Sequence, residues 1–367
     1  MTPSPASVKA TSQRLASFLA ERAEEIRLDP VFAGLPDADP VASVLVDAAA
    51  SALDGGKRLR ARFACGAWRA VTGAETLAPE AVDLGAALEV FQAAALVHDD
   101  IVDNSDTRRG RPSAHRALEA RHRASGWDGD AEAFGRSAAV LLGDLLLGWS
   151  DDLFESAAAA AGGDRRARAE YARMRRDVIL GQFLDVAEEA TWVTIPDAAH
   201  ADRALRIATL KSARYSVQQP LVIGAALGGA DDDALRALRE VGTPTGLAFQ
   251  LRDDVLGVFG DPSVTGKPSG DDLREGKRTL LVALARESMS PVGRARFDGA
   301  LGRRDLSDGD IAALQDDIRE TGSLDRVEER IAGFVADAER QLDDGRLAPG
   351  VRDELLPLIE AATRRAA

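Results

Sequence analysis

Two acidic clusters stand where carboxylates are least expected. Asp99-Asp100-Ile101-Val102-Asp103 and, 154 positions after its first residue, Asp253-Asp254 sit in alanine- and leucine-rich stretches with a helical pattern. Such settings bury a carboxylate only when a cation or hydrogen bonds compensate it. Residues four apart project from nearly the same face of a helix, so Asp99 and Asp103 can turn their oxygens toward one point. Hard cations such as Mg²⁺ take these donors while keeping positions open for substrate phosphates. Basic groups extend the chemistry. Gly55-Gly56-Lys57-Arg58-Leu59-Arg60 places Lys57 and Arg60 three apart at a glycine-marked helix start, and Thr107-Arg108-Arg109-Gly110 follows the first acidic cluster. Arginine forks, ammonium groups and free helix N-terminal amides hold phosphate oxygens well. Two anionic groups are implied, one able to sit on metal and the other on Lys57, Arg60 and Arg109.

The elements that must position these groups are almost all helices. Apolar residues recur at three- and four-residue intervals, with little of the alternation that marks strands. Helices are expected over Val8–Arg27, Val41–Leu53, Leu59–Val71, Pro79–Asp103, Ala131–Ala161, Arg166–Glu189, Pro196–Leu227 and Asp231–Val258, with shorter ones from Thr279 onward. Pro30, Gly34, Pro36 and Pro40 mark an irregular early connection. Gly110 to Pro112, Gly126 to Asp130, Gly162-Gly163 and Asp261 to Gly276 read as loops. The last is rich in glycine, proline and charge directly after an acidic helix end, the signature of a functional lid rather than a plain connector. The expectation is an all-α helical bundle around an apolar pocket: an N-terminal helix and connection over residues 1–40, then a single domain over 41–367.

Composition removes several classes of function. With 60 acidic against 46 basic residues, a formal charge of −14 and a pI near 4.9, the chain lacks the broad basic footprint that nucleic acid or an anionic membrane requires. The single cysteine, Cys65, precludes an intramolecular disulfide framework and fits a reducing cytoplasm. Its plainest role is a small buried apolar residue. Four histidines, His98, His115, His122 and His200, show no zinc spacing. Neither a secretory leader nor a twenty-residue membrane span is expected.

In order along the chain, Gly55 to Arg60, His98 to Asp103, Arg108-Arg109-Gly110 and Phe249-Gln250-Leu251-Arg252-Asp253-Asp254 closely resemble the motifs of the trans-prenyltransferases, or polyprenyl diphosphate synthases. Gly181-Gln182-Phe183-Leu184-Asp185, Lys211-Ser212, Gly266-Lys267 and Gly276-Lys277-Arg278-Thr279 extend the resemblance to roughly Val41 to Leu342. It implies an isoprenoid-synthase fold and a homodimer. The implied reaction is condensation of isopentenyl diphosphate onto an allylic diphosphate, namely dimethylallyl, geranyl or farnesyl. It also implies that Asp99 and Asp103 ligate two Mg²⁺ ions, that Asp253 ligates a third, and that Asp100 and Asp254 lie nearby in support. Arg108, Lys211, Ser212, Gln250 and Lys267 are implied for the allylic diphosphate, and Gly56, Lys57, Arg60, Gln92 and Arg109 for isopentenyl diphosphate.

Three positions depart from the family pattern. The second acidic cluster lacks its usual third aspartate, with Gly257 and then Asp261 following; Ser212 replaces a threonine; and Gln92 stands where many relatives carry histidine. Product length is expected from the helix that carries Asp99. Ala94 and Ala95, five and four positions before it, leave a growing tail's path open, and Phe91 can close that path about one turn, 5.4 Å, deeper. A twenty-carbon product, geranylgeranyl diphosphate, is therefore expected over farnesyl diphosphate or a longer chain. A terpene cyclase would not need Lys57, Arg60 and Arg109, and a non-catalytic synthase subunit commonly loses an acidic cluster that this chain keeps.

Overall fold

The computed structural model describes residues 5–31, 40–163, 165–262, 269–303, 305–347 and 350–363. Helix α4 (Pro79–Val102) shows how the first acidic cluster is placed. Ala81, Leu84, Ala86, Ala87, Leu88, Val90, Phe91, Ala93, Ala94 and Val97 are all buried. A helix apolar on every face belongs in the centre of a bundle, and its acidic end must be held near that centre as well. It packs most heavily on α6 (Ala131–Ala160), with α1 (Pro5–Leu28) and α2 (Pro40–Leu53) beside it. Ser150 Oγ donates to the Ala87 carbonyl at 2.7 Å and pins α6 to α4.

Two compact units are formed, Met1–Cys65 with Ala74–Gly163, and Gly66–Gly73 with Asp164–Ala367. The second is built from α7 (Arg165–Thr191), α8 (His200–Ala208), α9 (Gln219–Leu227), α10 (Asp232–Phe259) and the shorter helices that follow. Its core joins Leu251, Val255 and Val258 of α10 to Leu273, Leu280, Leu284 and Phe297. Among the described residues the only strands are Thr107–Arg108 and Arg111–Pro112, paired antiparallel in register Thr107↔Pro112. Their turn places both Arg109 (φ 54°) and Gly110 (φ 71°) in the left-handed region, the requirement of a tight hairpin turn.

The all-α expectation holds, and most helix ends fall within three residues of those expected. Three elements differ. Helix α5 (Ala114–Ala124) was not expected because its buried stripe is His115, Leu118, Glu119 and His122, in which the helical spacing is carried by polar residues. The single helix expected over Pro196–Leu227 is instead α8, a π-helical stretch Thr209–Gln218, and α9. Pro220 gives one reason: it has no N–H for the Ser216 carbonyl, and its ring would crowd that group in an α-helix. The bond just before it runs from Gln219 N–H to Arg214 O, one residue wider than α. Finally, α4 is long and apolar enough by composition to cross a membrane, contrary to the expectation, but 67% of its apolar window is buried in the protein. Cys65 is buried, with its Sγ donating to the Ala81 carbonyl at 3.4 Å.

Candidate active site

In the first unit, α4 delivers three aspartates at its C-terminal end. Asp103 is the capping residue, and its N–H donates to Asp99 O at 2.8 Å. The partial negative charge of a helix C-terminus repels carboxylates, so this arrangement favours a cation in front of it. The carboxylates are not equivalent. Asp99 is partly exposed, whereas the Asp100 side chain retains only 3% exposure and accepts from Arg108 Nε at 2.9 Å and also from its Nη2. Arg108 Nη2 lies 4.0 Å from Asp99 Oδ2. His98 crosses α6 at Gly143, where a Cβ would stand 2.1 Å from its Nε2. That ring is 3.2 Å from the Val140 carbonyl and 3.6 Å from Asp144, which marks it as a brace.

The basic loop before α3 (Leu59–Thr72) belongs to the same unit. Gly55, Gly56 and Arg58 have φ of 72°, 86° and 49°. Arg58 turns inward, donating to Leu53 O at 2.6 Å and lying 3.7 Å from buried Glu89. Glu89 also accepts from the Ala61 N–H at 3.2 Å. This inward anchor leaves Lys57 exposed and Arg60 partly so. Arg109 lies over the glycines, with its Nη1 donating to Asp54 O at 2.8 Å; a Cβ on Gly56 would meet its Nη2 at 2.9 Å. Partial burial, followed by the neighbouring cations Arg58, Arg108 and Arg111, lowers the Arg109 pKa, while Glu89 opposes the shift. The concentration of positive charge suits an anionic group.

In the second unit, the π-helical stretch carries Lys211 and Ser212. Glycines hold it closely on two sides. A Cβ on Gly181 of α7 would stand 2.4 Å from Lys211 N, one on Gly246 of α10 would stand 2.2 Å from Ala213 O, and one on Gly242 would stand 2.7 Å from Gln218 Cα. Lys211 Nζ donates to Asp185 Oδ2 at 2.5 Å. Asp253 is partly exposed near the end of α10, while Asp254 is buried and accepts from Gln250 Nε2 at 2.7 Å. Burial, then Asp272 and Asp253, push the Asp254 carboxyl up to about 8 against the Gln250 hydrogen bond and the Lys277 charge. One turn after Asp253, Gly257 presents no side chain, and a Cβ there would fall 2.0 Å from Asp272 Oδ2. Asp272 lies on the helix Asp271–Glu275, with Lys277 Nζ 3.5 Å from its Oδ1.

Residues 42–318 match the polyprenyl synthetase family model. The chain belongs to the polyprenyl synthetase family. It is therefore a prenyltransferase, and its all-α fold is that of its structural neighbours. It is 32% identical over 308 residues, 83% of this chain and 88% of the relative, to geranylfarnesyl diphosphate synthase of Aeropyrum pernix. Geranylgeranyl pyrophosphate synthase of Corynebacterium glutamicum, solved with isoprenyl diphosphate and magnesium, is 38% identical with a TM-score of 0.88, covering 98% of each chain. Decaprenyl diphosphate synthase of Rhodobacter capsulatus is 28% identical with a TM-score of 0.70, covering 97% of this chain and 98% of that one.

Within this polyprenyl synthetase, the paired aspartates divide alike in both units: the first of each pair is partly exposed and the second is buried in hydrogen bonds. Among the described residues no three acidic, histidine or cysteine side chains form a ready-made metal cage. The donors are nevertheless the hard oxygens magnesium prefers, and magnesium sites of this kind are completed by substrate phosphates and water. Phe91 and Ala94 are buried on α4, with Ala95 and Gln92 partly so. Lys267, with the rest of residues 263–268 of the expected lid, lies outside the described residues. Asp185 as the partner of Lys211 and Asp272 as the neighbour of Gly257 were not among the expected site residues. The signal for the first was the spacing from Gly181 to Asp185, and for the second the missing aspartate at position 257.

Proposed function

We propose that the chain condenses isopentenyl diphosphate head-to-tail with allylic diphosphates to give a trans-polyprenyl diphosphate, mainly the twenty-carbon one. The observation that carries this reading is the basic loop with Arg109 laid over Gly56. An enzyme that only ionised one allylic diphosphate would have no use for this second phosphate site. Lys57, Arg60 and Arg109 hold the diphosphate of isopentenyl diphosphate, with Gln92 as a further donor. Asp99, Asp103 and Asp253 hold magnesium, three ions in all, and Asp100 and Asp254 anchor the groups around them. When bound, magnesium neutralises the diphosphate that leaves the allylic substrate. Lys211, with Asp185 fixing its ammonium group, Ser212 and Arg108 orient that diphosphate, and Lys267 is assigned with them. Gln250 supports the same end of the site through Asp254. The isopentenyl double bond attacks the resulting allylic carbon, and the proton then lost passes to the departed diphosphate, so no histidine base is required.

The buried Phe91, Ala93 and Ala94 support a tail path along α4 that ends at Phe91. Farnesyl diphosphate is the shorter alternative, and the 25-carbon name of the Aeropyrum relative marks a longer one. We place the enzyme in the cytoplasm as a homodimer. Ile179, Leu180, Phe183, Leu184 and Val186 form an exposed apolar face on α7 of the kind that subunit contacts cover. Purified protein given Mg²⁺, radiolabelled isopentenyl diphosphate and each primer in turn, with products dephosphorylated and sized, tests the reading. A mainly twenty-carbon alcohol supports it, and no elongation with any primer refutes it.

A further inference from the structure

We propose that Arg136 is a positioning residue for the first acidic set: by clamping the point where α4 stops, it keeps Asp103 in the helical turn that aligns it with Asp99. This rests on the metal-dependent reading above. Asp103, the capping residue, still has helical dihedrals (φ −79°, ψ −7°), and its N–H donates to Asp99 O at 2.8 Å. That bond, spanning four residues, sets the two side chains on one face of the helix. The next residue, Asn104, turns out of the helix at φ 52°. Its N–H donates to Ile101 O at 3.4 Å, and the Ser105 N–H donates to Asp100 O at 2.9 Å. These are the two bonds of a Schellman stop, where glycine is the usual left-handed residue. With asparagine there, the stop carries a Cβ in a region that side chains resist.

Arg136 supplies a hold that glycine would make unnecessary. Reaching from α6, its Nη1 donates to Asn104 Oδ1 at 2.8 Å and its Nη2 to Ile101 O at 3.2 Å. One planar guanidinium therefore spans the left-handed residue and the carbonyl that this residue caps, and a fork of this kind fixes orientation as well as distance. The base of Arg136 is itself fixed. Asp130 caps the start of α6, accepting from the N–H groups of Glu132 and Ala133 at 2.9 and 3.1 Å. Gly135 lies so close to α5 that a Cβ there would stand 2.4 Å from His115 O. Phe134 packs on Trp127 and His122, with ring centroids 5.3 and 5.0 Å apart. A rigid helix start thus decides where α4 ends. Were the stop to move back by one residue, Asp103 would leave the helix and its oxygens would no longer share a face with those of Asp99. Arg136 acts through the backbone of α4, and its influence on the metal is felt through the placement of Asp103.

The test is calorimetric titration of Mg²⁺ into protein with inorganic pyrophosphate, with metal-free binding of isopentenyl diphosphate and metal-free thermal unfolding measured on the same proteins. Arg136→Met keeps the stem and removes the fork. It should weaken Mg²⁺ affinity about tenfold, the lower end of what losing support around a metal ligand costs, and leave isopentenyl diphosphate affinity within about threefold. Asn104→Val, which forces a β-branched residue into the left-handed region, should weaken Mg²⁺ affinity to a similar degree from the other side. Arg136→Met combined with Asn104→Gly should return to within about threefold of the parent, because glycine adopts the stop unaided. Loss of a charge alone is not repaired in this way. A change of less than about twofold in both single variants, a double variant no better than Arg136→Met, or an equal loss of isopentenyl diphosphate affinity would overturn the proposal. So would a lowered Tm at unchanged Mg²⁺ affinity, the outcome if Arg136 serves packing only. Failure of the synthase reading would show separately, in the parent protein, as an absence of elongation.

Discussion

Replacing Gly181 with alanine is the sharpest probe of how the fold sets the site. The added methyl would sit 2.4 Å from Lys211 N, 2.7 Å from its Cα and 2.8 Å from Leu210 C, all backbone atoms that cannot swing aside. Relief to an ordinary 3.4 Å contact requires about 1 Å of movement between α7 and the π-helical stretch, because overpacked interiors yield by shifting backbone. The opposite face offers no slack, since Gly246 and Gly242 of α10 already sit against Ala213 and Gln218. Overpacking of this kind costs about 1–3 kcal/mol. With an unfolding entropy of about 2.1 cal/mol/K per residue, that lowers Tm by only about 1–4 °C for a chain of this length. The functional loss should be larger. A displacement of about 1 Å in a positioning group can cost about a hundredfold in rate, and the Lys211 ammonium would also lose its fixed contact with Asp185. The assay is single-turnover elongation with saturating Mg²⁺ and both diphosphates, beside a thermal melt. Gly333→Ala is the control: it lies in the helix Ser323–Asp343 with open space at its Cβ and should gain up to about 1 kcal/mol from helix propensity alone. Gly181→Ala with a rate within threefold of the parent would refute the argument that this glycine sets the position of Lys211.

Three further outcomes are expected. Phe91→Ala should shift the alcohols toward lengths beyond twenty carbons while destabilising the buried core of α4 by about 3–5 kcal/mol; an unchanged product profile on chromatography would place the floor elsewhere. Arg109→Gln should raise KM for isopentenyl diphosphate at least tenfold and leave KM for the allylic primer within twofold, and equal effects on both would count against separate phosphate sites. For Asp254, whose folded carboxyl is pushed up to about 8 from an ordinary 3.8, the folded state binds more protons than the unfolded one between those values. Metal-free stability should therefore fall as pH rises from about 4 to 8. Melts across that range should flatten in Asp254→Asn, and a parent-like slope in the variant would contradict the assignment.

The acidic clusters and the basic loop were legible because chemistry forced unusual residues into apolar or glycine-marked settings. Their division of labour was implied only by the family resemblance and not by the residues' own spacing. Nothing in the spacing of Asp99 and Asp100 tells which faces out, because that depends on Arg108 returning through a hairpin to bind Asp100. Gln250 was expected at the allylic diphosphate, and its hydrogen bond to Asp254 was not foreseen. Helix α5 escaped because histidine and glutamate occupy its buried stripe. Asp272 could not be connected with Gly257 from a single sequence, since 15 positions separate them and only the packed turn around Leu273 brings them together.

The π-helical stretch changes how the residues on either side of it can be compared. Each wide turn advances the azimuth less per residue than an α-turn, so α8 and α9 keep different rotational frames although the chain runs through them without a break. A helical wheel drawn from His200 to Leu227 therefore gives Lys211 the wrong bearing. Removing one residue between 209 and 218 could restore regular winding, leaving a chain that folds while its ammonium group points away from Asp185.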